Sequence, residues 1–205
     1  AYGYPRAEIF AIPFCIILTI QEGEQNYTKS VRIQTVANNL RRFNELNALC
    51  RHLCRDVPPM EECWERLEAV LQEPTYPALV SYLAHGTVAS LFTLFWGGVW
   101  LDALLAFPCG LLVRAVVSAM SRLRINVFFT NFFAALLSSL VPQILFYLGV
   151  GIHADKMIIG TIMLLVPGIA ITNGMRDVLV GDFLTALSRF AEVVIVALSM
   201  TIGAA

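Results

Sequence analysis

The chain has 205 residues, 58% hydrophobic and only 14% charged, with a mean hydropathy of +0.70. Soluble domains carry about 25% charged residues, so an ordinary water-soluble protein is excluded for much of the chain. A net charge of −1, with no basic run and no zinc-finger spacing, leaves no electrostatic footprint for nucleic acid.

The charge is unevenly placed. Residues 1–75 hold 8 of the 14 Lys/Arg and 10 of the 15 Asp/Glu, and residues 76–205 hold the other 6 and 5. The change falls at Glu73-Pro74-Thr75-Tyr76-Pro77, where two prolines stop any helix. The expected domains are therefore 1–74 and 75–205. With no initiator Met and no positively charged leader, no signal peptide is expected.

Ala7–Ile12 reads as a strand ended by Pro13, and Phe14–Ile20 as a buried, β-branched strand. Gln21–Asn26, with Gly23, reads as a hairpin turn. Ser30–Val36 alternates apolar and polar residues, the pattern of a half-buried strand. A helix follows, capped by Asn38 or Asn39, with Leu40, Phe43, Leu46, Cys50, Leu53 and Cys54 on one face. Asp56, Pro58, Pro59, Glu61 and Glu62 mark the start of another, whose stripe is Met60, Cys63, Trp64, Leu67, Val70 and Leu71. Phe43 and Trp64 are expected in the core. Residues 1–74 thus form a small α+β domain.

Five cysteines occur, with no CxxC. Cys50, His52, Cys54 and Cys63 lie close enough in sequence for a metal site to be conceivable. Reduced thiols on apolar helix faces are the favoured reading, so no metal or cofactor is expected. HExxH, GxSxG and paired-Asp motifs are absent, so an enzyme is not expected.

A bilayer core takes about 20 apolar residues per helix. Five stretches qualify: Tyr76–Trp96, Val99–Val117, Val127–Val150, a fourth from Met157 to Pro167-Gly168, and Phe183–Ile202. The fold class is therefore a membrane all-α bundle of about five helices behind the α+β domain. Arg114, Arg122 and Arg124 gather between spans two and three, and Arg176 and Arg189 between four and five. The positive-inside rule puts both joins and the N-terminal domain in the cytoplasm, and the C-terminus outside.

Polar residues concentrate late in the chain. Span three carries Asn131, Ser138, Ser139 and Gln143 near one stripe, either helix–helix hydrogen bonds or the wall of a path. In the fourth span Pro167 takes the helical partner from the carbonyl of Met163, and Gly168 adds backbone freedom. Such a break is tolerated where the backbone lines a cavity, and transporters aim helix ends at substrate this way. Thr172, Asn173, Arg176 and Asp177 follow it. Asp182, Arg189 and Glu192 can share a face of the next helix, with Arg189–Glu192 a possible pair at i, i+3.

The run Leu165–Asp177, with Gly181-Asp182 after it, resembles the signature of the threonine/serine exporter family, and Arg189, Glu192 and Gly203 match its next helix. Asn39-Leu40-Arg41-Arg42 with Glu45-Leu46-Asn47, and Phe95-Trp96-Gly97-Gly98 with Asp102, match upstream elements. The resemblance covers nearly the whole chain and implies export of small metabolites, threonine and serine or dicarboxylates such as succinate, across the inner membrane. Because the chain stops at Ala205, the likeness is to the larger subunit of the family's split form. A small separate membrane subunit then supplies the second half, within an oligomer.

The expected function is a secondary-active transporter subunit for a small carboxylate-bearing metabolite, multi-pass in the cell membrane. The alternative is a non-transporting regulatory or scaffold subunit. Pro167, Gly168, Thr172, Asn173, Arg176 and Arg189 are the candidate substrate contacts. Asp102, Asp177, Asp182 and Glu192 are the candidates for proton coupling or ion pairing.

Overall fold

The computed structural model describes residues 6–23, 25–33, 39–72 and 76–205. They form two compact units, Ala1–Thr75 and Tyr76–Ala205.

In the first unit, β1 (Arg6–Ile12), β2 (Cys15–Glu22) and β3 (Gln25–Arg32) make an antiparallel sheet in the order β1-β2-β3. Pro13 and Phe14 form the first turn, and Cys15 pairs with both Ile12 and Arg32. The second turn is tighter than Gln21–Asn26, because β2 runs on to Glu22 and Gln25 pairs with it. Gly23 takes a φ of 62°, the left-handed region glycine favours. The third strand starts five residues before Ser30, and residues 34–36 lie outside the described residues. Gln25–Arg32 is exposed along its whole length, so Ser30, Val31 and Arg32 do not show the expected half-burial.

Helix α1 (Leu40–Asp56) is capped by Asn39, whose side chain accepts from the Arg42 N–H at 3.1 Å. Asn38 lies outside the described residues. Helix α2 (Met60–Gln72) carries Glu61 and Glu62 in its first turn, at the positive end of its dipole. Arg42 ties the two together by donating to the Leu71 carbonyl at 3.0 Å. Phe43 and Trp64 are not core residues: they are 69% and 59% exposed, because the packing of α1 on α2 encloses Cys63 and leaves these two rings outside it.

The second unit holds α3 (Ala78–Phe95), α4 (Trp100–Arg122), α5 (Val127–Tyr147), α6 (Ala154–Ile162), α7 (Gly168–Val180) and α8 (Phe183–Ala204). Four of these, α3, α4, α5 and α8, are long and apolar enough to cross a membrane. Their exposed Leu, Ile, Val and Phe side chains are what a bilayer would cover. The helices touch through small residues. A Cβ on Gly110 would lie 2.6 Å from the His85 carbonyl, so α3 and α4 approach backbone to backbone. Ser90 donates across the same contact to the Ala103 carbonyl at 2.8 Å. A Cβ on Gly160 would strike Thr93, and one on Gly203 would strike the Phe132 carbonyl.

The expected fourth span is instead a re-entrant pair. At 1.5 Å per residue, the 9 residues of α6 reach about 14 Å and the 13 of α7 about 20 Å, against a core of about 30 Å. Directions follow from contacts. His153, before α6, meets Asp102 at the start of α4, whereas Thr161 donates to the Ser138 carbonyl halfway along α5. So α6 descends from the α5 C-terminal end to mid-depth. Gly203 packs on Phe132 and Ala135, so α8 runs antiparallel to α5 and ends beside its start. Gly174 faces Phe190, and Asp177 pairs with Arg189, so α7 climbs back along α8 to the level where α6 began. Helices α3, α4 and α5 run the length of the bundle in alternation, the pair enters and leaves by one end, and α8 runs its length last. Tyr76 and Ala205 therefore lie on the same side of this unit, not on opposite sides as an odd number of spans requires. Arg176 and Arg189 lie at the end opposite Arg122 and Arg124, not beside them.

Candidate functional site

The break spans Met163–Pro167. Helix α6 ends at Ile162, so it stops well before Pro167. Leu164 and Leu165 donate to Thr161 and Ile162 at 3.2 and 2.9 Å, tightening the last turn, and Gly168 N–H folds back on the Val166 carbonyl at 2.8 Å. Pro167 is the residue before α7, and no side chain caps that helix. Gly168 N–H is thereby engaged, which leaves the Ile169 and Ala170 N–H groups without a helical partner at the start of α7. Gly168 has ordinary helical backbone and open space where a Cβ would be. Its expected use of extra backbone freedom is not seen.

What sets this depth is α6. It packs against α3, α4 and α5, and Met157, Gly160 and Thr161 are fully enclosed. Helix α7 packs on α8 instead, leaving Ile169, Met175 and Leu179 exposed. The two halves of the broken segment therefore belong to different neighbours, one central and one peripheral.

Asp177 and Arg189 are brought together: Arg189 Nε donates to Asp177 Oδ2 at 2.8 Å, with about a third and a fifth of each side chain exposed. The i, i+3 pairing of Arg189 with Glu192 does not form, and Glu192 is exposed. Asp182 caps α8, accepting from the Thr185 N–H at 3.3 Å. Thr172 bonds the Gly168 carbonyl of its own helix at 2.9 Å, Asn173 is half-buried, and Arg176 is exposed.

Asp102 stands apart from this group. It is fully buried and holds four donors: Val99 N–H at 3.2 Å, Ile152 N–H at 2.9 Å, His153 N–H at 3.2 Å and His153 Nδ1 at 2.9 Å. A carboxylate so engaged fastens the start of α6 to the start of α4.

In α5 the side chains of Asn131, Ser138 and Ser139 bond carbonyls of their own helix. The helix–helix link runs through the Ser138 carbonyl and Thr161. Sequence reasoning missed Thr161, Thr185 and Arg114. The Thr185 hydroxyl is buried one turn from Arg189 without a hydrogen-bond partner, and so is Arg114 Nε. Only the first had a readable signal, its i, i+4 spacing to Arg189. In the first unit His52 is engaged by Asp56 at 2.6 Å, and among the described residues no group of His, Cys, Asp and Glu could hold a metal ion.

Crossing helices joined by small residues and a half-entering broken pair define a multi-pass membrane protein. The chain belongs to the threonine/serine exporter family, whose ThrE model, described as "Putative threonine/serine exporter", matches residues 1–205. It is similar to the "Threonine/serine exporter" of Corynebacterium glutamicum, 25% identical over 159 residues, covering 75% of this chain and 32% of that protein. It is also similar to the "Probable threonine/serine exporter" of Mycobacterium tuberculosis (strain ATCC 25618 / H37Rv), 22% identical over 172 residues, covering 83% of this chain and 32% of that protein. The chain thus spans about a third of the length of these curated relatives. No solved structure matches it.

Proposed function

We propose that this chain is the larger membrane subunit of a secondary-active exporter of a small carboxylate-bearing metabolite, either threonine or serine or a dicarboxylate such as succinate. The observation that carries the reading is the broken α6–α7 pair, whose uncapped α7 N-terminus sits at mid-depth. A helix N-terminus favours an anion. Substrate would meet the carbonyls and N–H groups around Pro167 and Gly168, with Thr172 and Asn173 one turn on. Arg189 would exchange Asp177 for the substrate carboxylate, Arg176 would draw anions at the same end, and Asp177, Asp182 or Glu192 would take a coupling proton.

The N-terminal unit is cytoplasmic in this reading. Lys and Arg do not set this side by number, since Arg122 and Arg124 stand at the end of the bundle where Tyr76 enters and Lys156, Arg176 and Arg189 toward the other. A small separate membrane subunit would complete the path. The uncovered stripes of α1 and α2 favour a second reading, a docking or regulatory subunit that carries no substrate.

Efflux from proteoliposomes separates the two. Export predicts flux of L-threonine, L-serine or succinate that needs this chain and responds to a pH gradient. Equal flux from the partner subunit alone would select the regulatory reading.

A further inference from the structure

Arg114 is a cation inside the span of α4 whose Nε has no hydrogen-bond partner among the described residues. It lies two turns before Arg122, roughly 12 Å inside the end of α4. Ser138, which marks the depth of the break through its bond to Thr161, lies three turns beyond Val127, roughly 16 Å from that same end. Arg114 and the break are therefore within about one turn of the same depth.

Its Nε is buried and, among the described residues, has no hydrogen-bond partner. The acids of this unit sit toward the other end. Asp102 opens α4, Asp155 opens α6, Asp177 closes α7, Asp182 caps α8, and Glu192 lies in the half of α8 that begins there. A guanidinium stays charged at any physiological pH, and hydrocarbon offers it no acceptor. Its planar fork matches a carboxylate with two parallel hydrogen bonds.

We infer that Arg114 binds the carboxylate of the transported molecule as it passes from the Arg122 end toward the broken segment. The inference rests on the export reading above. Two features favour a substrate carboxylate over a lipid phosphate. Arg114 lies nearer the break than the helix end, and its Nε is enclosed by protein rather than open to the bilayer.

The test uses the full-length protein reconstituted with its partner subunit in proteoliposomes with labelled L-threonine, L-serine and succinate, comparing wild type, Arg114→Gln and Arg114→Lys. A parallel melting assay compares L-threonine with threoninol, which lacks the carboxylate. The expected result is a KM raised about tenfold or more in Arg114→Gln and about threefold in Arg114→Lys, the loss expected for a charge-assisted pair. The wild type is stabilised by a transported carboxylate and not by threoninol, and Arg114→Gln loses that stabilisation.

Unchanged KM in both variants overturns the assignment while leaving export standing. So does flux that tracks the anionic-lipid content of the vesicle through Arg114 while threonine and threoninol are still told apart. If Arg114→Gln does not insert, Arg114→Lys decides alone by the same KM criterion. A wild type that moves none of the three compounds overturns the export reading first, and this assignment with it.

Discussion

Thr161 donates its hydroxyl to the backbone carbonyl of Ser138 at 3.2 Å, and this contact fixes how deep the broken segment enters the bundle. The Met157 and Ile158 carbonyls of its own helix lie at 2.9 and 3.0 Å, so the single hydroxyl proton is shared and the Ser138 contact is the longest of its three arms. With Gly160 pressed on Thr93, α6 is held from two sides at half depth. The chain then has to turn, and it turns back.

That geometry makes a topological prediction. A reporter placed after Ala205 is expected on the same side of the membrane as one placed before Tyr76. Labelling of single introduced cysteines by an impermeant reagent in intact cells checks it. Opposite sides would mean that residues 154–180 cross as one helix.

Asp102 is expected to be a fastening rather than a proton carrier. Asp102→Ala would orphan the Ile152 and His153 N–H groups, and hydrogen bonds to a charged group are worth about 1.5–3 kcal/mol each. A loss of roughly 3 kcal/mol or more is expected in thermal unfolding, with faster amide exchange at residues 152–157. Asp102→Asn keeps one acceptor oxygen and is expected to lose less. Normal exchange rates in both variants would reject the fastening role.

The Asp177–Arg189 pair is open to a double-mutant cycle. Asp177→Asn and Arg189→Gln each leave a partly exposed charge without its partner, and each is expected to destabilise by about 1 kcal/mol, since exposure screens the pair. The double variant is expected to cost less than the two singles together. Strict additivity would show that the pair is not coupled.

Two glycines should behave oppositely. Gly203→Val places a side chain into the Phe132 carbonyl and is expected to cost about 1–3 kcal/mol by overpacking. Gly168→Ala meets open space on ordinary helical backbone, so it is expected to be neutral or to stabilise by about 0.5 kcal/mol. Melting temperatures of the two purified variants decide it.

Much of this was legible in the sequence. Four apolar runs of crossing length announce α3, α4, α5 and α8 without help from tertiary contacts. The broken segment was legible as a Pro-Gly interruption, but its path was not. Leu164-Leu165-Val166 stays apolar straight through the turn, so residues 154–180 look like one span with a kink. Only the packing of Gly160 on Thr93 and of Thr161 on Ser138, contacts with no local trace, sets the depth. For the same reason Arg176 and Arg189 were placed at the wrong end.

The candidate site was legible as a set of residue types and not as a set of partners. Asp177 and Arg189 were both singled out, yet i, i+3 spacing suggested Glu192 where a neighbouring helix supplied Asp177. Asp102 stood out as a charge near the start of a span, but its partners lie some fifty residues later, at Ile152 and His153. Arg114 was hidden by its company. Clustered with Arg122 and Arg124 it reads as an interfacial flank three residues from the end of the Val99–Val117 stretch, and the run of α4 to Arg122 sets it two turns deeper.

In the export reading, substrate occupies the broken segment. Gly168→Cys tests it most directly, since the position has room for a side chain. The full-length variant is reconstituted and treated with a permeant maleimide, and labelling of the peptide carrying residue 168 is followed by mass spectrometry with and without L-threonine, L-serine or succinate. The expected result is that a compound the protein exports slows labelling of Cys at this position several-fold, while a compound it does not export has no effect. Labelling at the same rate with and without an exported compound would contradict the account.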